Sequence, residues 1–431
     1  MKVWKVGLLG LVLCLGAARA QEPEPLGDEF QVNSYTTDYQ AGPEVGMGDD
    51  GEFVVVWDSK DGQDGDLTGV FGQRFTRSGV PIGSEFQANT HTTGRQNRSS
   101  VGVTPNGSFV VSWDSTDGQD GDFYGVIARR YDSDGLALGG EFVVNTYSTN
   151  RQLSNRVSIA PDGSFVVVWN SFGQDGDDFG VFGQRFDAAG NPAGSEFQVN
   201  TYTTDFQGVG TVASAANGGF LVVWVSAADQ DGDLTGIFAQ RFGAGGSPIG
   251  SEFQVNTYTT GLQRGPAATF APTGEFVIVW NSRLSSPTSY EVRGRRFDAN
   301  GLAQGDEFEV NTYTDGAQRV GSIAQGSFVV VYESYGPDGD SGGIFGQRFS
   351  ASGDRLGGEF QINTYTTLTQ RDPVIATASD GEMIVVWEDG SSSSDGQDGS
   401  SLGVFAQRFV IPAFADGFES GDTSAWSSSV P

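Results

Sequence analysis

Apolar and polar positions along this chain alternate in short runs, without the wide spacing of a helical stripe. Between Arg156 and Thr204 the order is RVSIA, a Pro161-Asp162-Gly163 turn, SFVVVWN, an acidic loop, GVFGQRF, the turn DAAGNPAGS, and EFQVNTY. Runs rich in Val, Phe, Tyr and Thr bounded by Gly, Asp and Asn predict strands, and Asp-Gly between two apolar runs predicts a hairpin. The stretch therefore reads as four antiparallel strands. Its second strand is apolar at consecutive positions, so both faces must be buried.

The pattern recurs. The Glu before the Phe of the last strand falls at Glu29, Glu85, Glu141, Glu196, Glu252, Glu307 and Glu359, at steps of 52 to 56 residues. The aromatic ending the second strand keeps the same step, at Trp57, Trp113, Trp169, Trp224, Trp280, Tyr332 and Trp387. Four strands per unit at a period near 50 predict an all-β, seven-bladed β-propeller, with a parallel β-helix as the less fitting alternative. The first EFQVN, at 29–33, lacks the three strands that should precede it, and the last unit, ending in GVFAQRF, lacks the fourth. A ring joins these two halves, the N-terminal strand completing the C-terminal blade and removing the open edge. The propeller spans 28–411. First strands rich in Gly, Ala and Ser suit the crowded axis, and the tryptophans are expected in the core.

Outside the repeat, residues 1–20 carry Lys2 and Lys5, an apolar run and Ala18-Arg19-Ala20, the layout of a secretory signal peptide. The expected location is thus secreted: extracellular, cell-surface or periplasmic. Cys14 is the sole cysteine and goes with the leader, so no disulfide or thiolate site is expected in the mature chain. Cleavage also removes Lys2, Lys5 and Arg19, so the formal charge of −30 becomes −33. That balance disfavours nucleic acid and anionic membrane as partners. A monomer without membrane insertion is expected. Residues 21–27 form a polar lead-in, and 412–431 a tail rich in Ser, Gly and Asp.

Candidate chemistry gathers on the face holding the loops between second and third strands and the crossings between blades. The first set is the acidic loop, DGQDGD at 61–66 and its copies. It offers Asp61, Asp64, Asp66, Asp117, Asp120, Asp122, Asp175, Asp177, Asp231, Asp233, Asp338, Asp340, Asp395 and Asp398 as candidate calcium ligands, since hard cations take oxygen donors converging on a tight turn. Asp and Gly also form turns with no metal, which is the competing reading. The second set pairs Asn33, Asn89, Asn145, Asn200, Asn256, Asn311 and Asn363 with Gln40, Gln96, Gln152, Gln207, Gln263, Gln318 and Gln370. These amides are candidate ligand-binding groups near the channel mouth, or else caps for loop backbone.

A structural ion pair is expected in every blade between the Arg of the third strand, such as Arg185, and the Glu of the fourth, such as Glu196, with Phe186 opposite Phe197. The fifth unit loses the acidic loop and gains Arg283, Arg293 and Arg295. His91, the only histidine, stands where other units have Tyr, and no G-x-S-x-G, HExxH or phosphate loop accompanies it. No catalytic residue is assigned.

With motifs of the form QRFDAxGxxxGxEFQVNTYT and xDGxFVVVW, the chain resembles the propeller repeats of large secreted bacterial proteins, broadly akin to integrin-like calcium-loop propellers and propeller lectins. DGFESGDTSAWS in the tail resembles a short ending of secreted bacterial proteins. The resemblance implies a secreted, non-catalytic binding or adhesion propeller, stiffened by calcium, that recognises a glycan or a surface protein. The alternatives are a secreted polysaccharide-active enzyme, for which a single pocket with unequal carboxylates would speak, and a purely structural surface protein.

Overall fold

A computed structural model of the chain describes residues 22–60, 62–227, 230–283, 290–313, 318–324, 328–390, 396–399 and 401–411. The expected leader and tail lie outside these residues. The described residues form strands and no helix, in seven antiparallel sheets. Blade 1 runs Gln40–Met47, Phe53–Lys60, Thr68–Phe75 and Pro81–Gln87 from the axis outward. Blades 2 to 6 repeat this order, their inner strands being Gln96–Val103, Gln152–Ile159, Gln207–Ser214, Gln263–Phe270 and Gln318–Ala324. Blade 7 consists of Gln370–Thr377, Glu382–Gly390 and Leu402–Val410, and its outer strand comes from the N-terminus.

That closure is the one the truncated first and last repeats predict. Phe30 and Gln31 pair with Ala406 and Phe405. The lead-in goes further than expected, because Glu24 and Pro25 also pair with Val410 and Phe409. Where blade 7 meets blade 1, Arg77 contacts Asp380 and Glu382, each at 2.5 Å, and Arg408 donates to the Ser78 carbonyl at 3.0 Å.

The consecutive apolar residues of each second strand divide between two cores. Phe165, Val167 and Trp169 pack with Val110 and Val126 of blade 2, whereas Val166 and Val168 pack with Val222 and Trp224 of blade 4. The hydrophobic core is therefore distributed over seven inter-blade layers, and the six repeat tryptophans are no more than 1% exposed. At the outer side, the Phe of each fourth strand crosses to the aromatic ending the next blade's third strand, at centroid distances of 5.2–6.1 Å all round the ring.

The register of the outer strand differs from expectation. Phe197 lies opposite Gly183, with Gln198 opposite Phe182. The ring of Phe197 covers Gly183 so closely that a Cβ there would sit 2.8 Å from it, which is why Gly or Ala precedes the QRF motif. This shift separates Arg185 from Glu196, and among the described residues the expected pair between the Arg of the QRF motif and the fourth-strand Glu does not form. Arg185 instead donates to the carbonyls of Ala244 and Gly245, both at 2.6 Å, in the outer turn of the next blade. Arg74, Arg130, Arg241, Arg296 and Arg408 reach the same turn of their own neighbours. The guanidinium fork suits two adjacent carbonyls as well as it suits a carboxylate.

This latch has a measurable signature. Arg185→Ala should lower stability by about 1–3 kcal/mol in chemical denaturation, through lost charge-assisted bonds. A double-mutant cycle with Glu196→Gln should show coupling below about 0.5 kcal/mol. Strong coupling would restore the ion pair and contradict the latch.

Candidate active site at the channel mouth

The repeated polar residues of the crossing face are committed to the fold. The seven Asn side chains named above are 1–5% exposed and the seven Gln side chains 0%. Each Asn Oδ1 accepts the N–H of a third-strand residue, as Asn89 does from Val70 at 2.8 Å and Asn33 from Val404 at 2.8 Å. Its Nδ2 donates to the carbonyl two residues on, and the Nε2 of Gln40, Gln96, Gln152, Gln207, Gln263 and Gln370 donates to a carbonyl three residues back, as Gln40 does to Thr37 at 3.0 Å. These amides face backbone and are closed to a bulk ligand.

The acidic loops work as staples between blades. In blade 2, Gln119 donates to Glu141 at 2.7 Å, Asp120 accepts from Asn145 at 2.8 Å, and Asp122 accepts the Asn150 N–H at 2.8 Å. Glu141 also accepts the Thr90 N–H of the preceding crossing at 2.9 Å. Asp64, Asp175 and Asp231 repeat the first Asp contact, while Asp66, Asp177, Asp233 and Asp340 repeat the second. Asp338 caps the Asp340 N–H and Asp398 accepts from Gln31. Asp117 lies 3.8 Å from His91, and Asp61 and Asp395 fall outside the described residues. Among the described residues no three His, Cys, Asp or Glu side chains group as a metal site.

Departures from the repeat are explained by the same Glu. In blade 5, which has no acidic loop, Arg293 takes the place of the missing Gln and reaches Glu307 at 3.4 Å. In blade 6, where Pro337 stands at the Gln position, the Tyr332 hydroxyl donates to Glu359 at 2.5 Å.

Polar residues that break the repeat without such an explanation converge at the axis. The residue after the core aromatic is Asp58, Asp114, Asn170, Val225, Asn281, Glu333 or Glu388, and it faces the start of the next blade's inner strand. There the chain bulges, and the third residue takes a left-handed conformation at Gly42, Arg98, Ser154, Gly265 and Asp372, with φ of 51–60°. For Arg98, Ser154 and Asp372 that conformation is strained, and strain of this kind is held only where surroundings enforce it. At Arg98 and Ser154 the enforcing contact is the carboxylate of the preceding blade. Asp58 accepts the Arg98 N–H at 2.6 Å and the Ser99 N–H at 3.2 Å. Asp114 accepts the Ser154 N–H at 2.7 Å, and Glu388 the Gly42 N–H at 2.5 Å.

An arc of alternating charge results, running from blade 7 to blade 2. Arg371 lies 2.8 Å from Glu388 and 3.8 Å from Asp372, and Arg98 lies 3.4 Å from Asp114. Blade 4 contributes none of these charges. Behind the mouth the inner strands enclose a cavity of about 410 Å³, with Glu44 and Arg156 among its lining residues. Enclosure pushes Asp58 up to about 7, against its N–H donors, and nearby Asp114 adds to the rise. Burial also raises Asp114, Glu388 and Glu44, the last opposed by Arg156. Asp114 is 0% and Glu388 3% exposed, whereas Asp58 is half-buried. A half-buried carboxyl poised near neutrality suits proton transfer.

No protein-family profile matches the sequence, and no curated protein does. Solved structures do share the fold. A protein of unknown function from Dyadobacter fermentans aligns at 10% identity over 89% of this chain and 98% of its own, with a TM-score of 0.54. A polysaccharide lyase described as an ulvan lyase aligns at 9% over 89% and 95%, with a TM-score of 0.52, and a second polysaccharide lyase at 10% over 91% and 100%, with 0.51. At such identities the likeness concerns the fold. It nevertheless corrects the expectation of a non-catalytic binding or adhesion propeller. The two polysaccharide lyases named here share its fold, and the mouth carries unequal carboxylates where seven equivalent shallow sites would have marked a binder.

The raised carboxyls set the pH dependence of stability. Asp58 holds its proton in the folded chain where the unfolded chain, at 3.8, has lost it. Its contribution is complete below about pH 4 and is lost as pH rises through about 7. Asp114, Glu388 and Glu44 shift the same way, while the lowered Asp162, Asp187, Glu275 and Asp380 act only in more acidic solution. Melting temperature should therefore be higher at pH 5 than at pH 8, and Asp58→Asn should shrink the difference. An unchanged difference in the variant would remove Asp58 from the account.

Proposed function

We propose that this chain is a polysaccharide-cleaving enzyme, secreted behind the leader expected at residues 1–20, with Asp58 as its proton-transferring group. The observation that carries the reading is the Asp58 carboxyl itself, half-buried on an arc of the mouth where the blades differ in charge, and raised to about 7. The repeated side chains recur in near-identical settings from blade to blade, whereas acid–base chemistry needs groups in different environments. The lyases that share the fold support the substrate class by analogy, since fold alone does not set activity.

Eliminative cleavage of a uronate-containing chain fits these groups. The Asp58 carboxylate takes the proton α to the uronate carboxyl, and the electron pair forms the ring double bond. The glycosidic C–O bond at C4 breaks, and the departing oxygen is protonated from solvent. Arg98, whose side chain is 49% exposed and whose own backbone N–H holds Asp58, would neutralise the substrate carboxylate.

The test is to incubate the mature protein with soluble uronate polysaccharides and record ultraviolet absorbance of unsaturated ends alongside reducing ends. Both should rise together, and Asp58→Asn should reduce the rate about 100-fold or more. Reducing ends without absorbance would turn the reading to hydrolysis by Asp58 and Asp114. Full activity in Asp58→Asn would sink it.

A further inference from the structure

The mouth has a neighbour that its charged arc does not use. On the same face, at the seam of blades 3 and 4, Phe172, Phe179 and Phe206 form a continuous row. Phe172 and Phe179 meet at 5.1 Å with planes 69° apart, and Phe179 and Phe206 at 6.0 Å with planes 76° apart. Phe172 is 39% exposed and the other two are half-buried. The seams of blades 1 and 4 have Lys60, Thr68 and Arg95, or Ala227, Thr235 and Leu262, at these positions, so the row is not a demand of the fold. The inter-blade cores are already complete beneath it, with Trp224 and Val199 fully enclosed.

We propose that this row is a saccharide-stacking platform that holds the polysaccharide chain as it crosses the mouth. Position argues for it. The Phe206 ring lies directly over Gly208 of the blade 4 inner strand, 2.4 Å from where a Cβ would stand, so the platform begins where the mouth begins. It continues round the ring to Arg151, the blade 3 counterpart of Phe206, whose carbonyl accepts the Phe172 N–H at 2.9 Å and whose guanidinium lies 5.8 Å over Tyr124 of blade 2.

Chemistry selects the occupant. A pyranose ring offers one apolar C–H face and a rim of hydroxyls, which matches exposed ring faces interrupted by a guanidinium and flanked by the Asp177 loop. A lipid surface would need a broader apolar patch and would meet a chain of net charge −30, which repels anionic headgroups. The platform supplies binding and no reacting group, so it deepens the enzyme reading by giving the substrate chain a second point of attachment.

The test uses the full mature chain in affinity gel electrophoresis, with alginate, glucuronoxylan or hydroxyethyl cellulose in the gel and phosphatidylcholine vesicles as a separate probe. The parent protein and Asp58→Asn should both be retarded by at least one polysaccharide. Phe172→Ala combined with Phe206→Ala should weaken that retardation about tenfold. Phe172→Trp should keep it, and Phe172→Ala alone, at an exposed ring, should weaken it with an unchanged melting temperature. Retardation equal to the parent in the double variant, absence of retardation in all three polymers, or binding to vesicles alone would overturn the platform. The two readings fail separately. Loss of retardation in the Phe variants with full turnover in Asp58→Asn leaves the platform and removes the catalytic role, and the reverse result does the opposite.

Discussion

Everything in this structure depends on burying both faces of each blade's second strand between two neighbours. A single four-stranded sheet with Val166, Val167, Val168 and Trp169 in sequence has no soluble face, so it is stable only between two others. That constraint requires a ring, and a ring requires that first and last blades meet as well as any other pair. Closure through Phe30 and Gln31, strengthened by Arg77 and Arg408, follows from it. The polar repeat serves the same end. On one face the arginines clasp the next blade's turn. On the other, the Glu and Asp side chains tie each blade to the adjoining crossing.

Because the seams absorb every repeated side chain, chemistry is left only where the repeat is broken. Blades 5 and 6 show that most breaks are compensations, with Arg293 and Tyr332 each standing in for an absent Gln. The axial positions are different. Asp58, Arg98, Asp114, Arg371 and Glu388 hold one another and hold strained backbone, but do not replace a lost contact elsewhere. Their charges lie on one arc of the mouth and the exposed phenylalanines on another, an asymmetry that a ring of equal blades does not generate by itself.

Much of this was legible from residues. Strand number, blade number, closure and the buried tryptophans follow from period and pattern, because both report packing that is local to a repeat. The register of the outer strand was not, since Phe197 pairs with Gly183 in place of Phe186 and Arg185 reaches the next blade. The Gly before QRF carried that information, as a site a ring must cover. The Asn, Gln and Asp series drew attention by recurring, yet recurrence marks what every blade needs. A better signal for function was available in the residue after each Trp and the third residue of each inner strand, where seven otherwise alike repeats differ in charge.

The most direct measurement of the central claim is the ionisation of Asp58 itself, by carboxyl-resolved NMR or infrared difference titration of the mature protein against Asp58→Asn. The account predicts a carboxyl that titrates near 7 and vanishes in the variant. A signal that titrates near 4, as a solvated aspartate does, would show that the mouth does not enclose this group and would contradict its assignment as the proton-transferring residue.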